Sequence, residues 1–220
     1  AKGNNLSLDN EHNYNIKYSG RTDTSTLGFG STITVGDFNN DGLGDLVIGA
    51  QAEQQGAVYV FFSNTSYVGT GNNVSMDNEH NYNIKYRGNT GGGFGQSISL
   101  GDVNGDNKSD LVVGDPRTHS SETVTDYAGN TYIFYNNATI LGTGNNYTMA
   151  DEHAYNVRYS GPDYNKGGAD VGYFGSDTFA GDVNGDNLSD LMIGDQGYNY
   201  SSTGYVPFRG AAFVIYSNTS

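Results

Sequence analysis

Three ten-residue stretches place oxygen-bearing side chains at matching intervals: GDFNNDGLGD from Gly36, GDVNGDNKSD from Gly101 and GDVNGDNLSD from Gly181. Counted from the first Asp, positions 1, 3, 5 and 9 are Asp37, Asn39, Asp41 and Asp45 in the first copy. They are Asp102, Asn104, Asp106 and Asp110 in the second, and Asp182, Asn184, Asp186 and Asp190 in the third. The carbonyls of Leu43, Lys108 and Leu188 fall at position 7. A hard cation such as Ca²⁺ takes about six to eight oxygen ligands, and a tight loop brings alternate residues round to one centre. Position 6 is Gly42, Asn107 or Asn187, the residue types that best tolerate the left-handed backbone of a sharp turn. One such stretch alone could be an acidic turn whose Asp and Asn bond their own backbone. Three with the same ligand spacing point to three Ca²⁺ sites.

Other candidate chemistry is sparse. Glu11-His12, Glu79-His80 and Glu152-His153 recur, and three imidazoles on a common axis could hold a metal. Each segment reads better as a polar turn ahead of a strand. There is no Cys, no G-x-S-x-G elbow and no phosphate-cradling loop ending in Gly-Lys-Ser/Thr. Paired carboxylates occur only inside the acidic loops, where a cation would hold them ionised and unfit for general acid work. The expectation is a protein that is not an enzyme. Asn-x-Ser/Thr occurs nine times. Asn5, Asn64, Asn73, Asn137, Asn146, Asn199 and Asn218 are glycosylation candidates, whereas Asn107 and Asn187 sit inside the acidic loops. Repetition of an Asn-rich turn would also create such motifs.

The elements that would position these loops repeat with them. Segments Asn4 to Gly20 (NNLSLDNEHNYNIKYSG), Asn72 to Gly88 (NNVSMDNEHNYNIKYRG) and Asn145 to Gly161 (NNYTMADEHAYNVRYSG) are near copies. A Phe-Gly pair follows each: Phe29-Gly30, Phe94-Gly95, Phe174-Gly175. Next come the acidic loop, an apolar run (LVIG, LVVG, LMIG from Leu46, Leu111, Leu191) and an aromatic-rich run (from Ala57, Thr131, Ala212). The apolar runs suit inner strands buried on both faces. Each unit thus predicts four short strands: after Phe-Gly, after the acidic loop, the aromatic run and the NIKY run. Four antiparallel strands at this repeat length make a propeller-sized blade. With 33 Gly and 3 Pro the chain reads as short strands and tight turns, and no stretch carries the apolar stripe of an ordinary helix.

Composition narrows the function classes. Leu, Ile, Val and Phe make up about a fifth of the residues and the formal charge is −14, a lean core under an acidic surface. Ten scattered Lys and Arg do not form the basic patch that nucleic acid requires. No apolar run reaches the length of a membrane span. A signal peptide is absent at Ala1, so a secreted protein would be in processed form or part of something longer.

The order Phe-Gly, GDxNxDxxxD loop, apolar run ending in Gly, aromatic strand resembles the FG-GAP repeat of integrin alpha-subunit propellers and of bacterial and fungal surface proteins and lectins. The resemblance covers nearly the whole chain in three copies. It implies β-propeller blades with Ca²⁺ on the loop between first and second strands. The family's Gly-Ala-Pro is altered to Gly49-Ala50-Gln51, Gly114-Asp115-Pro116 and Gly194-Asp195-Gln196. The predicted fold is all-β: three four-stranded antiparallel propeller-type blades at residues 21–88, 89–161 and 162–220, in a single repeat domain. The last blade lacks its outer strand, and a spare one lies at residues 1–20. That strand is expected to complete the last blade of the same chain or, preferably, of a neighbour, because three blades are too few to close a ring. The partners expected are therefore copies of the chain in head-to-tail array, with glycans possible, no nucleic acid and no membrane span. The functional expectation is a calcium-stabilised, glycosylated extracellular structural protein assembling into a filament or surface layer. A cell-surface adhesin or carbohydrate-binding propeller, using Tyr-rich loops such as 198–205, is the alternative.

Overall fold

The computed structural model describes residues 7–22, 28–63, 72–89, 93–118, 128–136, 145–162, 172–197 and 210–217. The chain is all-β. Its strands are β1 (Ile16–Ser19), β2 (Phe29–Gly36), β3 (Asp45–Ala50), β4 (Ala57–Phe61), β5 (Asn72–Ser75), β6 (Ile84–Arg87) and β7 (Ser97–Gly101). They continue as β8 (Asp110–Asp115), β9 (Asn130–Phe134), β10 (Asn145–Thr148), β11 (Val157–Ser160), β12 (Phe174–Gly181), β13 (Asp190–Asp195) and β14 (Ala211–Ile215). Helical structure among the described residues is limited to the 3-10 turns Glu11–Asn13 and Glu79–Asn81. These are the predicted polar turns: Asn10 and Asn78 cap them by accepting the N–H of His12 and His80.

Three antiparallel sheets follow one plan. The first is ordered β6-β4-β3-β2, the second β11-β9-β8-β7, and the third β12-β13-β14. β3 and β8 are buried along nearly their whole length, because each has a strand on both sides and a sheet against each face. The sheets stack. Val47, Val58 and Val60 on the back of the first pack with Leu111, Val113 and Phe134 on the front of the second. Val112 and Ile133 on the back of the second pack with Leu191 and Ile193 on the front of the third.

Two strands were not anticipated. β10 adds in parallel to β6, Asn145 opposite Ile84, so the first sheet gains a fifth strand from the following unit. β5 adds in parallel to β1 in the same way, Asn72 opposite Ile16. This corrects one of the two expected placements of the N-terminal strand. β1 does not complete the third sheet of its own chain. It lies with β5 against the front of the first sheet, Ile16 and Tyr18 packing on the cluster of Ile48, Tyr59 and Phe61. The reason is covalent reach: β1 leads directly into β2, as β6 leads into β7, and so stays at that end of the stack.

Candidate functional site

Each acidic loop joins the first two strands of its sheet, β2 to β3, β7 to β8 and β12 to β13. All three wrap alike. The position-1 carboxylate takes backbone N–H groups from across the turn: Asp37 from Asp41 and Gly42 (3.0 and 2.8 Å), Asp102 from Asp106 and Asn107 (3.0 and 2.7 Å). Asp182 accepts from Gly185 and Asn187 (2.6 and 2.9 Å), and these bonds hold its carboxyl below the usual range. The position-3 amides of Asn39, Asn104 and Asn184 accept from the N–H of Asp41, Asp106 and Asp186 (2.9, 2.9 and 2.8 Å). The position-5 carboxylates of Asp41, Asp106 and Asp186 accept from the N–H of Leu43, Lys108 and Leu188 (2.8, 3.0 and 2.8 Å). Position 6 is left-handed as expected, with φ of 86°, 63° and 68° at Gly42, Asn107 and Asn187. Position 4 is left-handed too, at Asn40, Gly105 and Gly185, which spacing alone did not reveal.

Position 9 is different in kind. Asp45, Asp110 and Asp190 are wholly buried at the start of β3, β8 and β13. One oxygen of each accepts from its own loop: Phe38 and Asn39 for Asp45, Val103 for Asp110, Val183 for Asp190 (2.9 to 3.1 Å). The other oxygen accepts from just beyond the third strand: Ser63, Asn136 and Ser217 (2.8, 3.0 and 3.0 Å). The carboxylate thus ties loop, second strand and third strand together. Among the described residues no Lys or Arg forms an ion pair with it. Burial pushes the Asp45 carboxyl up and the Asp110 carboxyl up to about 6, with the neighbouring Asp106 and Asp102 adding to the latter.

Among the described residues, no three acidic or histidine side chains converge on one point closely enough to form a metal cluster. Self-bonding of the turn, which the sequence also allowed, is the geometry present. In chemistry the residues still fit a hard cation: every donor is oxygen and three carboxylates share each loop, although Asp45 Oδ2 and Asp102 Oδ1 each already accept two N–H groups. His12, His80 and His153 are exposed on their turns and are not gathered together. Of the glycosylation candidates, Asn73 and Asn146 are exposed on β5 and β10, each accepting from a tyrosine hydroxyl, Tyr14 (3.3 Å) and Tyr82 (3.0 Å). Asn5, Asn64, Asn137, Asn199 and Asn218 lie outside the described residues, as does the Tyr-rich loop 198–205.

A buried polar triad escaped sequence reading. Glu53, after β3, accepts from Lys85 Nζ (2.5 Å) and from the Tyr59 hydroxyl (2.7 Å), and Lys85 lies 4.7 Å from the centre of the Tyr59 ring. Burial lowers the Lys85 ammonium's pKa and raises that of the Tyr59 hydroxyl. No spacing signal marks these residues, because Lys85 occupies the same place in its strand as the exposed Lys17 and Arg158.

Comparison with known proteins agrees with the repeat. Residues 29–61 and 94–134 match the FG-GAP repeat family. The chain is 36% identical over 95 residues to phosphatidylinositol-glycan-specific phospholipase D of Bos taurus, covering 40% of this chain and 10% of that protein. It is 29% identical over 177 residues to integrin alpha-PS5 of Drosophila melanogaster, covering 77% of this chain and 15% of that one. Integrin alpha-3 of Mus musculus is 37% identical over 95 residues, 40% of this chain and 8% of its own length. The chain therefore spans only a small part of these relatives. No helix of the described residues is long and apolar enough to cross a membrane. The matched segments run from Phe-Gly through the acidic loop to the third strand of the first and second sheets, and the chain is a carrier of FG-GAP repeats.

Proposed function

We propose that this chain is a non-catalytic, cell-surface or extracellular module of propeller-type blades, braced by Ca²⁺ in its three acidic loops and serving adhesion. The observation that carries the reading is the threefold recurrence of one loop on a fully buried position-9 carboxylate: Asp45, Asp110 and Asp190. Each is a buried charge with no basic partner among the described residues, in a loop holding two further Asp. A divalent cation would supply the missing countercharge, and its binding free energy would add directly to folding stability. Asp37, Asn39, Asp41, Asp45 and the Leu43 carbonyl would hold the first ion. The second would take Asp102, Asn104, Asp106, Asp110 and the Lys108 carbonyl, and the third Asp182, Asn184, Asp186, Asp190 and the Leu188 carbonyl. Extracellular calcium modules bind at roughly 10⁻⁴ to 10⁻³ M, which suits a protein outside the cell. Adhesion is supported by similarity to integrin alpha subunits, and exposed Asn73 and Asn146 suit glycan attachment in that setting.

The test is calorimetry with Ca²⁺ together with thermal melts in Ca²⁺ and in EGTA. Three bound ions and a melting point several degrees higher in Ca²⁺ are expected. A melt that is the same in both buffers, with no bound calcium, refutes the bracing role. Adhesion is tested separately by binding to cell-surface glycans and matrix proteins, and failure there leaves the calcium result standing.

A further inference from the structure

We infer that the back of the third sheet and the front of the first are two halves of one joint, through which a second copy of this chain docks head to tail. Three independent features of the stack lead to this, and all three compare an internal joint with its counterpart at the ends.

The first is which apolar side chains are exposed. On the backs of the sheets, Val58 and Val60 of β4 are fully buried, and Ile133 of β9 is 3% exposed. Their third-sheet counterpart Val214 is 50% exposed, with Phe179 at 59% beside it. The residue at loop position 2 follows suit: Phe38 is buried between first and second sheets, Val103 is half-buried between second and third, and Val183 is 52% exposed. On the fronts, Ile98 and Leu100 pack against the first sheet, and Thr178 and Ala180 are buried against the second. Their first-sheet counterparts Ile33 and Val35 are 62% and 64% exposed.

The second is strand pairing. β4 is flanked by β3 and β6, and β9 by β8 and β11, whereas β14 pairs with β13 alone among the described residues. Conversely β6 joins β4 to β10, whereas β1 has β5 but, among the described residues, no β4-like neighbour. Setting β1 of one copy beside β14 of another gives the order β5-β1-β14-β13-β12, the plan of the first sheet, β10-β6-β4-β3-β2. The register follows from Ala57 opposite Arg87 and Asn130 opposite Ser160: Ala211 falls opposite Ser19 and Val214 opposite Ile16.

The third is a glycine cradle. A Cβ on Gly49 would lie 2.3 Å from the carbonyl oxygen of Gly95 in the next sheet, and one on Gly114 would lie 2.0 Å from that of Gly175. Gly56 and Gly129 receive Phe94 and Phe174 just as closely. In the third sheet, a Cβ on Gly194 would meet nothing nearer than Asp177 at 3.4 Å, and one on Gly210 nothing nearer than 3.6 Å. The cradle is built and holds no Phe-Gly among the described residues. Phe29-Gly30, the Phe-Gly of the first sheet, sits on the exposed front of the molecule beside β1, ready to fill it in a second copy. An open pocket between β1 and the first sheet, lined by Ile16, Leu46, Phe61 and Tyr82, is where Val183 of that copy would enter. Its internal counterpart Phe38 belongs to the cluster of Leu111 and Phe134.

One residue makes this joint weaker than the internal ones. Thr32 and Ser97 donate hydroxyl hydrogen bonds to the carbonyls of Gly95 and Gly175 (3.4 and 3.0 Å), and Asp177 stands at that place in the third sheet. An ionised carboxylate cannot donate to the Gly30 carbonyl. Association is therefore reversible, and because the contact is head to tail it propagates into a ring or a filament.

The experiment uses the 220-residue chain in calcium buffer. The protein has no cysteine, so Ser19→Cys and Ala211→Cys variants carry one thiol each. Mixed and oxidised, they are expected to give a disulfide-linked heterodimer. The double variant should give a ladder. Sedimentation should show concentration-dependent association of the wild type, abolished by Gly194→Val, whose Cβ makes only ordinary van der Waals contact, with Asp177 at 3.4 Å, in the monomer. Asp177→Ser should tighten association at least several-fold. No cross-link and a monomer at all concentrations overturn the inference, as does an intramolecular disulfide in the double variant. Undiminished association of a Gly194→Val variant that melts like wild type also overturns it.

Discussion

The buried Glu53–Lys85 pair yields a prediction whose size follows from its surroundings. Lys85 is 1% exposed, and its ammonium touches Glu53 Oε1 and lies 4.7 Å from the centre of the Tyr59 ring. Lys85→Met keeps most of that packing and removes the charge. Glu53, 7% exposed, is then left as a carboxylate with Tyr59 as its remaining side-chain donor. Breaking a buried pair from one side costs about 3–5 kcal/mol. Glu53 lies in the turn between β3 and β4, where its backbone bonds Ala50 and Gly56, and that turn can relax toward water, so the loss should be near about 3 kcal/mol. Pairing Lys85→Met with Glu53→Gln removes both charges while leaving an acceptor for Tyr59. That variant should fall within about 1 kcal/mol of wild type, since replacing a buried pair outright is often neutral. The second sheet has no such pair: Thr118 stands at Glu53's place, and Arg158, at Lys85's, is exposed. Urea unfolding of the two single variants and the double variant, with unchanged m-values, measures the coupling. If Lys85→Met costs less than about 1 kcal/mol, or the double variant loses the sum of the singles, the electrostatic reasoning is refuted.

Three further outcomes are expected. Asp110→Ala strips the acceptor from the N–H groups of Val103 and Asn136 and should cost about 2–4 kcal/mol by urea unfolding, with one fewer calcium bound by calorimetry. Gly114→Ala should be costlier than Gly42→Ala in the same assay. The first drives a Cβ to 2.0 Å from the Gly175 oxygen, whereas the second meets no neighbour and costs about 1 kcal/mol through its φ of 86°. Asp115 is wholly buried with neither carboxyl oxygen hydrogen-bonded among the described residues, the Thr118 hydroxyl beside it donating to Asp115's own backbone carbonyl, and burial pushes its pKa up to about 7. The folded state therefore holds this proton more tightly than the unfolded chain does. Stability should fall as pH rises from about 4 to about 7 and level off above, by up to about 4 kcal/mol. Asp115→Ala, which installs the residue found at Ala50, should remove that contribution in melts run from pH 4 to pH 8, leaving only the part below about pH 6 that Asp110 adds, and a slope between pH 6 and pH 7 as steep as in wild type refutes the assignment.

What could be read in advance was what repeats locally. The acidic loops, the Phe-Gly pairs and the three inner strands each carry their own pattern, and each formed where its pattern lay. β5 and β10 were missed because Asn72–Ser75 and Asn145–Thr148 have no apolar alternation; they exist as strands through pairing with β1 and β6, the outer strands of the preceding units. The Glu53–Lys85–Tyr59 triad was missed for a related reason. Ile16-Lys17-Tyr18 and Ile84-Lys85-Tyr86 are the same three letters, yet Lys17 is exposed and Lys85 is buried. The difference is that β6 has β4 alongside and β1 has no such neighbour among the described residues. In a stack of near-identical units, burial is conferred by the next unit and not by the strand's own letters. The sequence can therefore announce each face, while only the coordinates show that Ile33 and Val35 at one end, and Phe179, Val183 and Val214 at the other, are still without a cover among the described residues. Those end positions are where a change of one side chain, such as Gly194→Val, should alter assembly and leave the fold untouched.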